Sequence, residues 1–315
     1  MRIAIVGAGG VGGYFGARLQ LAGHGVVFVA RGAQLAALRE GGLRVSGISG
    51  EFVLERVEAT DDPRSAGAVD AVLVTVKAWQ LAEAARGLAP LVGPATVVVP
   101  LLNGVEAAAV LAETLGAGPV AAGLCGIVSY LVAPGHVRHE GVDPFVRFGE
   151  LDDRPSDRLS RLRDAFASAG VRAEIPPDIH AALWQKLLFI APVSAVGALT
   201  RAPVGAWRAL PETRALAERG MQEVAAVAAA RGVRLPADAV ARTLAFLDGM
   251  APGASSSLQR DFESGRRTEL DAQVGAVVRL GAGARVATPV HRLLYDCLLP
   301  QELRARAAAA GPGGG

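Results

Sequence analysis

Lysine and asparagine are nearly absent from this chain: of its 32 basic residues only Lys77 and Lys186 are lysine, and Asn103 is the sole asparagine. Codons for both residues are AT-rich, so a GC-rich coding sequence accounts for the general depletion, and the survivors stand out. Arginine supplies charge and ion pairs as well as lysine does, but it cannot release its proton near neutral pH, whereas a partly buried lysine can. Lys77 and Lys186 are therefore candidates for chemistry. Cysteine is scarce too: Cys125 and Cys297 stand alone, without a CxxC pair or metal-ligand spacing. This excludes a disulfide framework and fits a reducing cytosol. Neither sign of charge is in excess, the formal net charge being +2, so the electrostatic footprint of a nucleic-acid binder is missing. No run reaches the roughly 18 consecutive apolar residues of a membrane span. The apolar start, MRIAIVGAGG, is too short and too glycine-broken for a signal peptide.

What is present is enough for roughly two domains, with 51% hydrophobic residues to build their cores. RIAIV (2–6) is a short apolar run, followed by GAGGVG (7–12), a helical pattern ending at Gly23, and a second apolar run, VVFVA (26–30). That order is strand, glycine turn, helix, strand. Gly7, Gly9 and Gly12 match G-x-G-x-x-G in the context that gives the motif meaning, the opening of a βαβ unit. Gly7 makes the tight turn, Gly9 lets backbone approach a pyrophosphate, and Gly12 lets the helix lie close to the sheet. The expected dinucleotide site comprises Gly7, Ala8, Gly9, Gly10, Val11 and Gly12, with the pyrophosphate on the helix N-terminus. An NAD site usually places an acid at the end of the second strand. Ala30 and Arg31 stand there instead, which points to NADP(H).

DAVLVTVKAWQ (70–80) reads as a buried strand ending at Lys77, and ATVVVPLLNGVE (95–106) as another ending at Asn103. Ligands of open parallel sheets bind at the carboxyl ends of strands, so one rim collects Gly9, Arg31, Lys77 and Asn103. The bland reading of Asn103-Gly104 is an ordinary turn dipeptide. LRVSGISGEFVLERVEAT reads as a hairpin insertion, and PGHVRHEG (134–141) as a turn and strand. His136, His139 and Glu140 resemble a metal cluster only superficially. On a strand, 136 and 139 face opposite ways, so a solvated hairpin is expected and no metal site. From residue 178 the pattern turns helical: a helix through Lys186 capped by Asp178, an amphipathic helix over 212–232, a serine-led helix within 255–285, and a last helix over 288–300. The expected architecture is a Rossmann-type α/β domain (1–177), an all-helical domain (178–306) with a cleft between the two for substrate, and a disordered tail (307–315). Glu269, in GRRTELDA, fits a solvated or capping acid as well as a functional one.

Together GAGGVGGYFGARL, Arg31, VKAWQ, LNGVE, WQKLL and SSSLQRD…GRRTELD resemble the ketopantoate reductase (2-dehydropantoate 2-reductase) family, in order and spacing, from residue 1 to about 300. The resemblance implies NADP(H) as cofactor, reduction of a 2-oxo acid to a 2-hydroxy acid, and a cytoplasmic enzyme with a small-molecule substrate. By the same resemblance Lys186 and Glu269 are catalytic, with Glu269 also near the nicotinamide end of the cofactor. Lys77, Gln80 and Asn103 join the cofactor site, and Asn103, Lys186, Ile190, Ser194 and Ser257 line the substrate site. The family's lysine helix usually carries asparagines where Ile190 and Ser194 stand, and a further one at Ala254. Losing such contacts weakens recognition of a polar substrate. The alternatives are therefore a paralogous reductase of a more apolar 2-oxo acid, ketone or imine, and a non-catalytic NADP(H)-binding regulator. Retention of Lys186 and Glu269 argues against the regulator. Exposed helical faces leave a homodimer open, and nothing points to nucleic acid or membrane as a partner.

Overall fold

The computed structural model describes residues 1–48 and 50–309. Two compact units divide it: Met1–Leu102 with Glu106–Ile179, and Asn103–Val105 with His180–Gly315. The first contains β1 (Arg2–Val6), α1 (Gly10–Leu21), β2 (Gly25–Val29), α2 (Gly32–Gly41), β3 (Leu43–Gly47), β4 (Phe52–Leu54), β5 (Glu58–Thr60) and β6 (Val69–Val74). It continues through α3 (Leu81–Arg86), β7 (Val92–Pro100), α4 (Ala107–Leu115), β8 (Ala121–Ala133), β9 (His136–Glu150), α5 (Asp157–Ser168) and β10 (Arg172–Glu174).

Five strands form a parallel sheet in the order β5-β2-β1-β6-β7. Strands covered on both faces read as unbroken apolar runs rather than alternating ones, and Ile3, Ala4, Ile5, Val72, Leu73, Val97 and Val98 are all fully buried. From β1 the chain first builds outward through β2 and later returns to add β6 on the other side. The carboxyl end of β1 is thus a topological switch point, the place where open α/β sheets bind ligands, and the glycine turn lies there. Fold class and dinucleotide-type topology agree with the sequence expectation.

A second sheet runs β10-β9-β3-β4, with β8 paired antiparallel to β9. Its long pairings escape a local reading, because β3 joins β9 in parallel across some ninety residues. One correction follows for the histidines. His139 is fully buried with its ring 4.6 Å from that of Tyr14, and His136 Nε2 lies 2.8 Å from Ser46 Oγ. Facing alternates as expected, but the inward face of β9 packs on α1 instead of meeting solvent.

The helical unit contains α6 (Ile179–Thr200), α7 (Val204–Arg208), α8 (Pro211–Ala230), α9 (Ala239–Gly249), α10 (Ser257–Glu263), α11 (Ala276–Ala284) and α12 (Pro289–Ala309). A π-turn over Asp271–Gly275 leads into α11. Leu188, Ala191 and Val196 of α6, Met221 and Val224 of α8, Leu247 of α9 and Leu294 and Leu298 of α12 are fully buried in one core. Each large aliphatic side chain there contributes about 1.5–3 kcal/mol. A helix apolar on all sides belongs at the centre of a bundle. By length and composition α6 could cross a membrane, and 67% of its apolar window is buried within the protein.

The stretch 255–285 is two helices, not one, since α10 ends at Glu263 and Gly265 adopts a positive φ of 64°. The tail also differs in part: 307–309 continue α12, and the remainder of the expected disorder, 310–315, lies outside the described residues.

Candidate active site

Gly7 has φ 100°, and a Cβ there would meet Val76 N at 2.8 Å; only glycine takes this turn without strain. At Gly12 a Cβ would lie 2.2 Å from Gly7 O and 2.3 Å from Thr75 Oγ1, so α1 touches the sheet as closely as backbone permits. Gly9 is different. A Cβ there would meet nothing within 4 Å and its φ is −80°, so packing inside the protein does not demand glycine. Close approach by a ligand's pyrophosphate does. Gly9 also leaves the N-terminus of α1 without a side-chain cap or an acid in the first turn, as an anion site requires. The geometry fits a dinucleotide.

Two residues that sequence reasoning passed over hold the turn. Thr75, just past β6, donates its hydroxyl to Gly7 O at 2.7 Å. Gln34 of α2 donates to Ala8 O at 2.8 Å and accepts from Gly135 N at 2.9 Å, tying the turn to the β8–β9 hairpin. The only available hint was their polarity between apolar neighbours. Ala8, Gly10 and Val11 lie in or beside the turn, with Gly10 and Val11 opening α1.

Arg31 follows β2 and precedes α2, with its side chain 74% exposed. Its guanidinium pairs with Glu83 of α3 at 2.6 Å, and this hydrogen bond and charge hold the Glu83 carboxyl below its ordinary pKa. Lys77, expected at the strand end itself, stands three residues past the end of β6, which stops at Val74. Its Nζ is 5.8 Å from the centre of the Trp79 ring, and its backbone N–H donates to Gln80 Oε1 at 3.2 Å.

In the helical unit Asn103 Nδ2 donates to Glu269 Oε2 at 3.3 Å. The sole asparagine and the TELD acid, 166 residues apart, are therefore neighbours. Glu269 is buried at 8% exposure, which corrects the solvated-acid option. Lys186 is half-buried in α6, and the spacing i, i+4, i+8 carries Ile190 and then Ser194 along the same side of the helix. Ser194 is buried and Ile190 half-buried. Ala254 is half-buried, and its carbonyl accepts from Val204 N at 2.9 Å. Ser257 is exposed in the first turn of α10; the capping work falls to Ser256, whose Oγ accepts from Gln259 N at 3.1 Å.

A glycine turn at a switch point, an arginine where an NAD site would carry an acid, and a helical unit with a lysine and a buried glutamate define a nicotinamide-dependent oxidoreductase. Comparison with known proteins narrows the class. Models of Ketopantoate reductase PanE/ApbA and of its C-terminal part match residues 3–153 and 178–302. The chain is 35% identical to the 2-dehydropantoate 2-reductase of Archaeoglobus fulgidus, over 94% of this chain and 96% of that one. It superposes on the crystal structure of 2-dehydropantoate 2-reductase from Geobacter metallireducens with a TM-score of 0.89 at 33% identity, covering 95% and 99% of the two chains. A ternary structure of D-mandelate dehydrogenase with NADH and anilino(oxo)acetate shares the fold, with TM-score 0.89 at 23% identity over 98% and 100%. This chain belongs to the ketopantoate reductase family. It is an NADP(H)-dependent oxidoreductase acting on a C=O or CH–OH group.

Proposed function

We propose that this enzyme reduces 2-dehydropantoate (ketopantoate) to pantoate with NADPH, as a cytoplasmic step of pantothenate biosynthesis. The observation that carries the reading is the contact of Asn103 with Glu269, which unites two residues singled out independently, one by rarity and one by resemblance. NADPH, when bound, supplies the hydride. Gly7 to Gly12 receive its pyrophosphate, Arg31 its 2′-phosphate, and Lys77 and Gln80 belong to the same rim. Hydride arrival at a ketone carbon puts negative charge on the oxygen. Lys186 stabilises that charge as an ammonium and delivers the proton, a role worth about 10²–10⁴-fold in rate. Glu269, held by Asn103, orients the reacting groups, and Ser194 and Ser257 offer hydroxyls to the substrate.

A second reading, a paralogue acting on a more apolar 2-oxo acid, is favoured by Ile190 and Ala254. Neither side chain forms a hydrogen bond, and the Ala254 carbonyl is already engaged by Val204. Consumption of NADPH by the purified protein, followed at the nicotinamide absorbance with ketopantoate and larger apolar 2-oxo acids, separates the two. Turnover of ketopantoate well above that of its analogues supports the first; the reverse order moves the assignment to the paralogue. NADPH binding without turnover of any substrate would count against both.

A further inference from the structure

Glu302 is a carboxylate with 0% exposure on α12. Burying such a charge is costly unless every lone pair is answered, and here the answering donors converge on the segment that carries Glu269. Glu302 Oε2 accepts from Thr268 N at 2.9 Å and from Thr268 Oγ1 at 2.7 Å, while Oε1 accepts from Arg306 Nε at 2.6 Å. Thr268 Oγ1 in turn accepts from Leu270 N at 3.2 Å. On the far side of Glu269, Asp271 accepts from Tyr295 Oη at 2.6 Å and from Arg306 at 2.5 Å. The residue before Glu269 and the second residue after it are thus both gripped by α12. At the second anchor the backbone enters the π-turn, an irregularity frequent at functional sites.

We infer that Thr268 and Glu302 are positioning residues for Glu269: by fixing the backbone before it, they hold its carboxylate where it meets Asn103. Arg306 completes the bracket by joining Glu302 to Asp271. The inference rests on Glu269 being part of the active site.

Asn103 supplies the test, because a chain with one asparagine labelled with ¹⁵N-asparagine gives a single side-chain amide nitrogen resonance, whose paired proton cross-peaks form the signal to follow. In the full-length protein, Thr268→Val should move that signal in the same direction as Glu269→Gln, and Thr268→Ser, which restores the hydroxyl, should return it. Thr268→Val added to Glu269→Gln should move it no further. Kinetics with NADPH and the best 2-oxo acid of the panel should follow the same pattern: about 10- to 100-fold loss in kcat/KM for Thr268→Val, as displaced catalytic groups cause, and no further loss in the Glu269→Gln background. Arg306→Gln, on the more exposed arm of the bracket, is the second variant should Thr268→Val fold poorly, with the same non-additivity at smaller size. An unmoved signal in Thr268→Val and Arg306→Gln, beside a shifted one in Glu269→Gln, would overturn the inference. So would fully additive losses. A signal unmoved even by Glu269→Gln, with full activity, would instead remove Glu269 from the site and take the bracket's purpose with it.

Discussion

At the scale of single residues the chain's bias toward arginine makes its few lysines informative. Lys186→Ala should lower kcat by about 10²–10⁴-fold while NADPH affinity, measured by fluorescence titration, stays within a few-fold. Lys186→Arg separates charge from proton transfer. If delivery of the proton matters most, the arginine variant will be nearly as slow as the alanine one, and a largely active variant would reassign Lys186 to electrostatics alone. Arg31 makes a second prediction, because its pair with Glu83 is exposed on both sides and such pairs are weakly held. A 2′-phosphate would compete with Glu83 for the same guanidinium. Arg31→Ala should weaken NADPH about 10- to 100-fold, in line with the loss of a hydrogen bond to a charged group, and leave NADH nearly untouched. Glu83→Gln should act in the opposite direction, tightening NADPH by about two- to five-fold. Equal effects on both cofactors would detach Arg31 from the 2′-phosphate.

At the scale of elements the β1–α1 junction carries two glycines with different duties. Gly12 is demanded by the protein itself, since the atoms a Cβ would strike are the Gly7 carbonyl and the Thr75 hydroxyl beside it. Gly12→Ala should therefore destabilise by about 1–3 kcal/mol, the usual cost of overpacking, and weaken NADPH as the turn is pushed open. Gly9→Ala meets no protein atom; its thermal midpoint should stay near that of the parent while NADPH affinity falls. Parallel thermal melts and cofactor titrations check this pair, and a Gly9 variant with unchanged NADPH affinity would contradict the placement of the pyrophosphate. The glycine turn was legible in sequence because its spacing and flanking apolar runs are local. The break between α10 and the π-turn was not. Serine and charged residues over 255–269 are compatible with one capped helix; Gly265, at a positive φ with its N–H and that of Arg266 bonded back to Phe262 and Asp261, stops α10, and the grip of α12 on Thr268 holds the segment that follows.

At the scale of the whole molecule each unit holds partly buried carboxylates whose partners lower their pKa. Burial raises the Glu150 carboxyl, but hydrogen bonds from Arg158 and Ser156 outweigh it. Burial likewise opposes, and bonds from the His291 ring and the N–H groups of His291 and Val290 overcome, at Glu223. Asp271 repeats the balance with Tyr295 and Arg306. A carboxyl held below its unfolded value contributes stability that is complete above that value, about 4, and is lost as pH falls through the folded one. Thermal midpoints should thus hold near neutral pH and drop once the pH falls into and below the carboxylate range. Glu223→Gln should lower the neutral midpoint and flatten the acid limb. An acid limb identical to the parent's would show that Glu223 contributes nothing to it.

The strand, glycine turn, helix and strand that open the chain, the helical character of its second half, the expectation of a 2′-phosphate at Arg31 and the candidacy of Lys77, Lys186 and Asn103 were all written in the chain itself. Periodicity and residue chemistry act over a few neighbours and need no partner to be read. Tertiary structure alone decided which distant groups meet: β3 with β9, His139 with Tyr14, Asn103 with Glu269 and Thr268 with Glu302. A pattern of apolar and polar residues says which face of an element seeks cover. Which segment supplies that cover is settled only when the chain closes on itself across tens to hundreds of residues.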